Sequence, residues 1–171
     1  ACVFPDVSPR NTGTPGEDDD KYFGTGASFY VDATQAPWST HYNMYSYISE
    51  ELPAFLSDNF KMVDIVRKSI MGHSMGGGGA LMIGLRNPGT FKSVSALAPL
   101  GVPTDWAVSR KAFANYLGED ESAWAQYDPS LLAATVDPKN WDEILIDQGG
   151  QDKFFNAKML QNDKFAEAGK S

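Results

Sequence analysis

With 171 residues, of which 42% are apolar, 12% aromatic and 21% charged, the chain has the composition of a folded domain with a real core and is too aromatic for a disordered segment. A net charge of -8 gives no electrostatic reason to bind phosphate backbones, so no nucleic-acid partner is expected, and no apolar run reaches the roughly 18 residues of a membrane span. The lone cysteine, Cys2, rules out an intrachain disulfide, which fits a reducing compartment, and neither a signal peptide nor a transit peptide is visible. The chain opens without Met inside an apolar run and stops where a helix ends, so it is expected to be the central portion of a longer protein, residues 1–171 forming one domain.

In chain order, residues 1–4 read as a short buried strand closed by Pro5 and Asp6. Residues 8–28 are rich in Gly, Pro, Thr, Ser and Asp and predict a long loop, of the kind that is either functional or disordered; Asp18, Asp19 and Asp20 form a solvated tip on it. Tyr45, Ile48, Leu52, Phe55 and Leu56 recur at helical spacing within residues 42–60, with a kink expected at Pro53. Residues 65–71 predict a strand, 72–79 a glycine-rich turn and 80–85 a helix that stops near Asn87, Pro88 and Gly89. A strand over 91–98 ends at Pro99, and a mainly helical excursion fills 100–140. Ile144, Leu145 and Ile146 form the core of another strand, closed by Gly149 and Gly150, and a helix follows over 154–168. This alternation of strands and helices implies an α/β fold in which helices cover a parallel sheet.

One motif carries chemistry. Gly72-His73-Ser74-Met75-Gly76 matches Gly-x-Ser-x-Gly, with a strand before it and a helix after it. That context makes a tight, strained turn with the serine hydroxyl exposed above the sheet, and both glycines are expected to be required because side chains there would collide. The Met75 N–H, at the start of the helix, points to where an oxyanion would form. Ser74 is therefore the candidate nucleophile. A serine hydroxyl needs a general base, and in this type of fold the acid and then the histidine follow the serine in the chain. Asp152 lies in a glycine-rich turn just past the 144–146 strand and is preferred as the acid over Asp147, which is still within the strand. Neither histidine fits the base. His73 stands inside the turn with its side chain directed away from the hydroxyl, and His41 precedes Ser74. Either the base lies beyond Ser171, or this chain is not an enzyme.

The residues resemble the S-formylglutathione hydrolase (esterase D) family over nearly the whole chain, from Phe4 to about Phe165. The likeness is carried by Pro5-Asp6-Val7-Ser8-Pro9-Arg10, by the stretch from Phe23 to Thr34, by Pro37-Trp38, and by Met44-Tyr45-Ser46-Tyr47 and Glu50-Glu51-Leu52-Pro53. It continues through Gly72 to Gly77, Ser95 to Pro99, Lys111-Ala112-Phe113 and Tyr116-Leu117-Gly118, and ends with Ile144 to Gly149, Asp152 and Phe154. The resemblance implies an α/β-hydrolase fold, incomplete at both ends, and hydrolysis of S-formylglutathione to glutathione and formate, with simple acyl esters also cleaved. It implies a cytoplasmic enzyme, commonly a homodimer, acting on a small-molecule ester or thioester with no metal or organic cofactor. By position it makes Ser74 the nucleophile, Asp152 the triad acid and the Met75 N–H an oxyanion donor. The family's catalytic histidine would come after the last helix, and its second oxyanion donor from ahead of Ala1.

The sequence departs from the family in one place. The family's pocket Trp stands five residues before the Phe of Lys-Ala-Phe, where this chain has Val108; Trp106 lies two residues earlier. Either Trp106 fills the same pocket through a local shift or the pocket differs. His73 and Trp106 are the candidates for contacting substrate. Two other functions compete with the hydrolase: an acyltransferase on the same fold, in which an alcohol replaces water, and a fragment that lacks activity as it stands.

Overall fold

The computed structural model describes residues 1–137, 139 and 144–170; the end of the predicted 100–140 excursion therefore lies partly outside the described residues. Three strands, β1 (Ile70–His73), β2 (Val94–Leu97) and β3 (Ile144–Asp147), form a parallel sheet in the order β1-β2-β3. The register aligns Ile70 with Val94 and Ile144, and His73 with Leu97 and Asp147. Side chains alternate across a strand, so each face collects every second residue. Val94 and Ala96, with Ile70, Ile144 and Ile146, pack against Ala80, Leu81 and Leu85 of one long helix and Phe165 of another. The opposite face is open: Met71 is 63% and Leu145 57% exposed.

The helices are α1 (Met44–Ser46), α2 (Leu52–Asn59), α3 (Met75–Arg86), α4 (Ala107–Leu117), α5 (Pro129–Ala133), α6 (Lys153–Asn156) and α7 (Asn162–Ala168). Between α1 and α2 the chain widens into a π-helical turn, Tyr47–Glu51, in which the Leu52 amide reaches back five residues to the Tyr47 carbonyl. This is how the chain accommodates Pro53, which has no N–H to continue the usual ladder. The predicted helix over 154–168 is instead two short helices. Lys158 and Gln161 between them adopt left-handed backbone, with φ of 56° and 51°.

Residues 1–4 are not a buried strand. They form no strand, and Phe4 is 87% exposed. An apolar run becomes a strand only beside a partner that takes up its backbone hydrogen bonds, and no described segment lies against this one in a ladder.

The long loop over 8–28 is packed rather than open. Phe23, Trp38, Tyr42, Phe113, Tyr116 and Trp124 form an aromatic core, with Phe23 and Trp38 edge-to-face at 4.4 Å. The Tyr116 hydroxyl donates to the Ala27 carbonyl at 3.0 Å and accepts from the Gly24 amide at 2.9 Å. Buried Glu17 closes the loop start by accepting from the Thr12 hydroxyl at 2.6 Å and the Gly13 amide at 3.0 Å. Asp18 and Asp19 are exposed, as a solvated tip requires, and Asp20 pairs with Lys111.

Asp128 ties the 100–130 excursion together. It is fully buried and accepts five hydrogen bonds: from the Thr104 amide and hydroxyl (3.0 and 2.6 Å), the Ser130 amide and hydroxyl (2.8 and 2.6 Å) and the Leu131 amide (3.2 Å). Asp128→Ala leaves those donors buried and unpaired, so a loss of about 3–5 kcal/mol is expected, measured as a fall in the urea midpoint.

Candidate active site

Ser74 connects β1 directly to α3. Its backbone sits at φ 56° and ψ -118°, a conformation L-residues rarely adopt. Three hydrogen bonds hold it there. Its amide donates to the Leu97 carbonyl at 2.9 Å, and its carbonyl accepts from the amides of Gly78 at 3.0 Å and Leu100 at 3.1 Å. Strained backbone persists only when its surroundings over-determine it, and here β2 and the segment just after it supply two of the three bonds.

The conformation has a chemical consequence. A serine at a helix N-cap normally turns its hydroxyl onto the first-turn amides. The Ser74 side chain makes no such bond. Among the described residues neither its hydroxyl nor the Met75 amide, at the head of the twelve-residue α3, has a hydrogen-bond partner. A serine hydroxyl thus stands beside an N–H and the positive end of a helix dipole, an arrangement suited to acyl transfer.

The expected glycine bracket is correct at one end only. A Cβ on Gly72 would lie 2.1 Å from the Gly76 carbonyl oxygen and 2.3 Å from its carbon. A Cβ on Gly76 meets nothing closer than the Tyr30 hydroxyl at 3.4 Å. Gly76 matters because its backbone fills the space a Gly72 side chain would need. Gly72→Ala is therefore expected to destabilise the protein by about 3 kcal/mol or more, since backbone has to move. Gly76→Ala should stay within about 1 kcal/mol, its better helix propensity acting in its favour. Denaturant midpoints for the pair decide this.

Glycines 76–79 belong to α3 rather than to the turn. Gly79 admits the ring of Tyr30, whose Cδ2 would be 2.4 Å from a Cβ there. Phe29 and Tyr30 both have positive φ, 51° and 56°, and form a turn closed by the Val31 amide on the Ser28 carbonyl at 3.3 Å. Sequence reasoning missed this contact, because aromatic residues carry no signal of left-handed backbone. Phe29, Gly79, Met82, Phe113 and Tyr127 help to line a small apolar pocket beside Met75.

Asp152 follows β3 and Ser74 follows β1. Parallel strands end on the same edge, so the two residues share the carboxyl edge of the sheet with β2 between them, about 10 Å of sheet width. Asp152 caps α6, its Oδ1 accepting from the amides of Phe154 at 2.7 Å and Phe155 at 3.4 Å. Its Oδ2 carries no hydrogen bond among the described residues. Asp147 is the last residue of β3 and is exposed. It shares the open sheet face with His73, which is also exposed. Exposed His41 caps the 3-10 turn Trp38–Thr40. Trp106 is half-buried at the start of α4, with its ring edge-on to Tyr22 at 6.3 Å, and does not line the pocket beside Met75. Among the described residues no group of three or more His, Cys, Asp or Glu is placed to hold a metal ion, and no helix is long and apolar enough to cross a membrane.

The sequence model of a family described as putative esterases matches residues 1–170. The chain belongs to this esterase family. Mouse S-formylglutathione hydrolase is 50% identical to this chain over 166 residues, 97% of the chain and 58% of the mouse protein. The Arabidopsis thaliana S-formylglutathione hydrolase is 48% identical over 168 residues, 98% of the chain and 58% of the relative. The solved S-formylglutathione hydrolase from Agrobacterium tumefaciens superimposes with a TM-score of 0.86 at 48% identity, covering 94% of the chain and 57% of that structure. The chain thus spans somewhat over half the length of these relatives. Its parallel sheet, helical layers and strand–serine–helix turn are those of an incomplete α/β-hydrolase fold.

Proposed function

We propose that this chain carries the nucleophile and the triad acid of a serine hydrolase that converts S-formylglutathione to glutathione and formate and also cleaves short acyl esters. The backbone of Ser74, which frees both its hydroxyl and the Met75 amide, carries the reading. The named relatives near 50% identity support the substrate class. The same likeness underlies the cytoplasmic setting and the homodimer that complete the reading.

In this mechanism Ser74 Oγ attacks the formyl carbonyl while an imidazole accepts its proton. The oxyanion of the tetrahedral intermediate takes the Met75 N–H. Collapse breaks the carbon–sulfur bond, and the imidazolium protonates the departing glutathione sulfur. Water, deprotonated by the same imidazole, then attacks the formyl-serine ester, releasing formate and restoring Ser74. Asp152 holds the imidazole in the tautomer that can accept the serine proton. That imidazole comes from outside the 171 residues: His41 precedes the nucleophile, and His73 lies on the open sheet face. The 171 residues alone are accordingly expected to have near-background activity.

The test is formate release from S-formylglutathione by the full-length protein, together with reaction with an organophosphonate and mass spectrometry of the labelled peptide. Turnover with the label on Ser74 is expected. A label on any other residue, or no turnover of either thioester or ester, would remove the reading.

A further inference from the structure

Asn162, the first residue of α7, is buried to 6% exposure, yet the oxygen of its side chain has no hydrogen-bond partner among the described residues. An unpartnered buried acceptor carries a desolvation penalty, and one found in a folded protein calls for an explanation. The other end of the same amide supplies one. Asn162 Nδ2 donates to Gln148 Oε1 at 2.6 Å, across fourteen residues. Gln148 Nε2 donates in turn to the Gly149 carbonyl at 3.1 Å. The Asp152 amide donates to that same carbonyl at 3.1 Å, closing the turn from which Asp152 projects.

The direction of each bond is determined. The Gly149 carbonyl can only accept, so Gln148 must present its NH2 there and its oxygen to Asn162. Asn162 must then present its own NH2, which leaves its oxygen stranded. The chain runs from α7 to Gln148, to Gly149, to Asp152.

We propose that Asn162, acting through Gln148, is a positioning residue for Asp152. It fixes the turn 149–152 that holds Asp152 at the carboxyl edge of the sheet, the edge at which Ser74 also stands. This inference rests on the reading of Asp152 as triad acid. Beyond the Asp152 cap on α6, the rest of the turn has little else to hold it among the described residues. Gly149, Gly150 and Gln151 are exposed, and side chains added at Gly149 and Gly150 would meet nothing within 4 Å. Without the clamp the turn wanders, and misplacement of a reacting group by about 1 Å can lower turnover as much as 10²-fold.

The experiment uses the full-length protein and p-nitrophenyl acetate. Asn162→Ala and Gln148→Met break the clamp from its two sides, the second at a half-buried position where folding is little disturbed. Each is expected to lower kcat roughly tenfold, with KM within about twofold. The double variant should be no slower than either single variant, because one contact is removed once. In an Asp152→Asn background the Asn162→Ala substitution should have no further effect, whereas a residue that merely supports the fold would lower the rate again. Two outcomes overturn the inference: both single variants keeping kcat within twofold, or the tenfold loss persisting in the Asp152→Asn background. If Asp152→Asn alone leaves the rate unchanged, the reading of Asp152 falls and takes this inference with it, and that result is visible before any Asn162 variant is made.

Discussion

Ser74→Ala in the full-length protein is expected to lower hydrolysis of short acyl esters by roughly 10³-fold or more, the scale on which removal of a triad member acts. The hydroxyl makes no hydrogen bond among the described residues, so deleting it should remove little support from the fold. The strained backbone is held by main-chain bonds to Leu97, Gly78 and Leu100, none of which involves the side chain. Thermal stability should therefore remain close to that of the parent while turnover collapses. The residual rate reports what the Met75 amide contributes without a nucleophile. Steady-state kinetics and a melting curve on the same preparation decide it, and a variant within tenfold of the parent would move the chemistry to another residue.

Asp152→Asn is expected to lower turnover by about 10⁴-fold, and Asp147→Asn by less than about threefold. Asparagine caps helices as well as aspartate does, so the bonds from Phe154 and Phe155 should survive and α6 with them. What changes is the second oxygen. In Asp152 it is a free acceptor; in asparagine one of the two positions becomes an NH2, and a donor facing an imidazole N–H favours the wrong tautomer. Asp147 ends β3 on the exposed sheet face, and its backbone carbonyl, which any residue would keep, accepts from the Ala98 amide at 2.7 Å. The two variants assayed side by side on one ester separate the carboxylates, and equal losses would mean that the loop position is irrelevant.

The serine turn was legible because its requirement is local. Gly72 is needed by contact with a residue four positions away, and such a contact leaves its mark in a short pattern. The position of Asp152 at the carboxyl edge was legible for a similar reason: glycines after an apolar run mark the end of a strand, and parallel strands bring their carboxyl ends together. The parts that stayed hidden depend on distant partners. Residues 1–4 are as apolar as a strand, but apolarity does not reveal whether a neighbour exists to share their hydrogen bonds. The break between α6 and α7 falls on Lys158 and Gln161, neither of which carries the usual glycine signature of left-handed backbone. The bond from Asn162 to Gln148 joins two amides that look like ordinary surface residues until α7 folds back under β3.

Four consecutive glycines open α3, and glycine disfavours helix by about 1 kcal/mol per residue relative to alanine. The first turn of this helix has little tendency to form by itself. It exists because Pro99, Leu100 and Tyr30 press against residues 77–79 from two sides, closely enough that side chains there could not be admitted. The strained conformation of Ser74 is consequently a product of the finished fold. A chain on its way to the native state, or one partly released from it, has no reason to hold Ser74 at a positive φ with its hydroxyl bare. Slow amide hydrogen exchange at Gly78, whose N–H bonds the Ser74 carbonyl, would then report opening of the whole α3–sheet unit rather than fraying of a helix end.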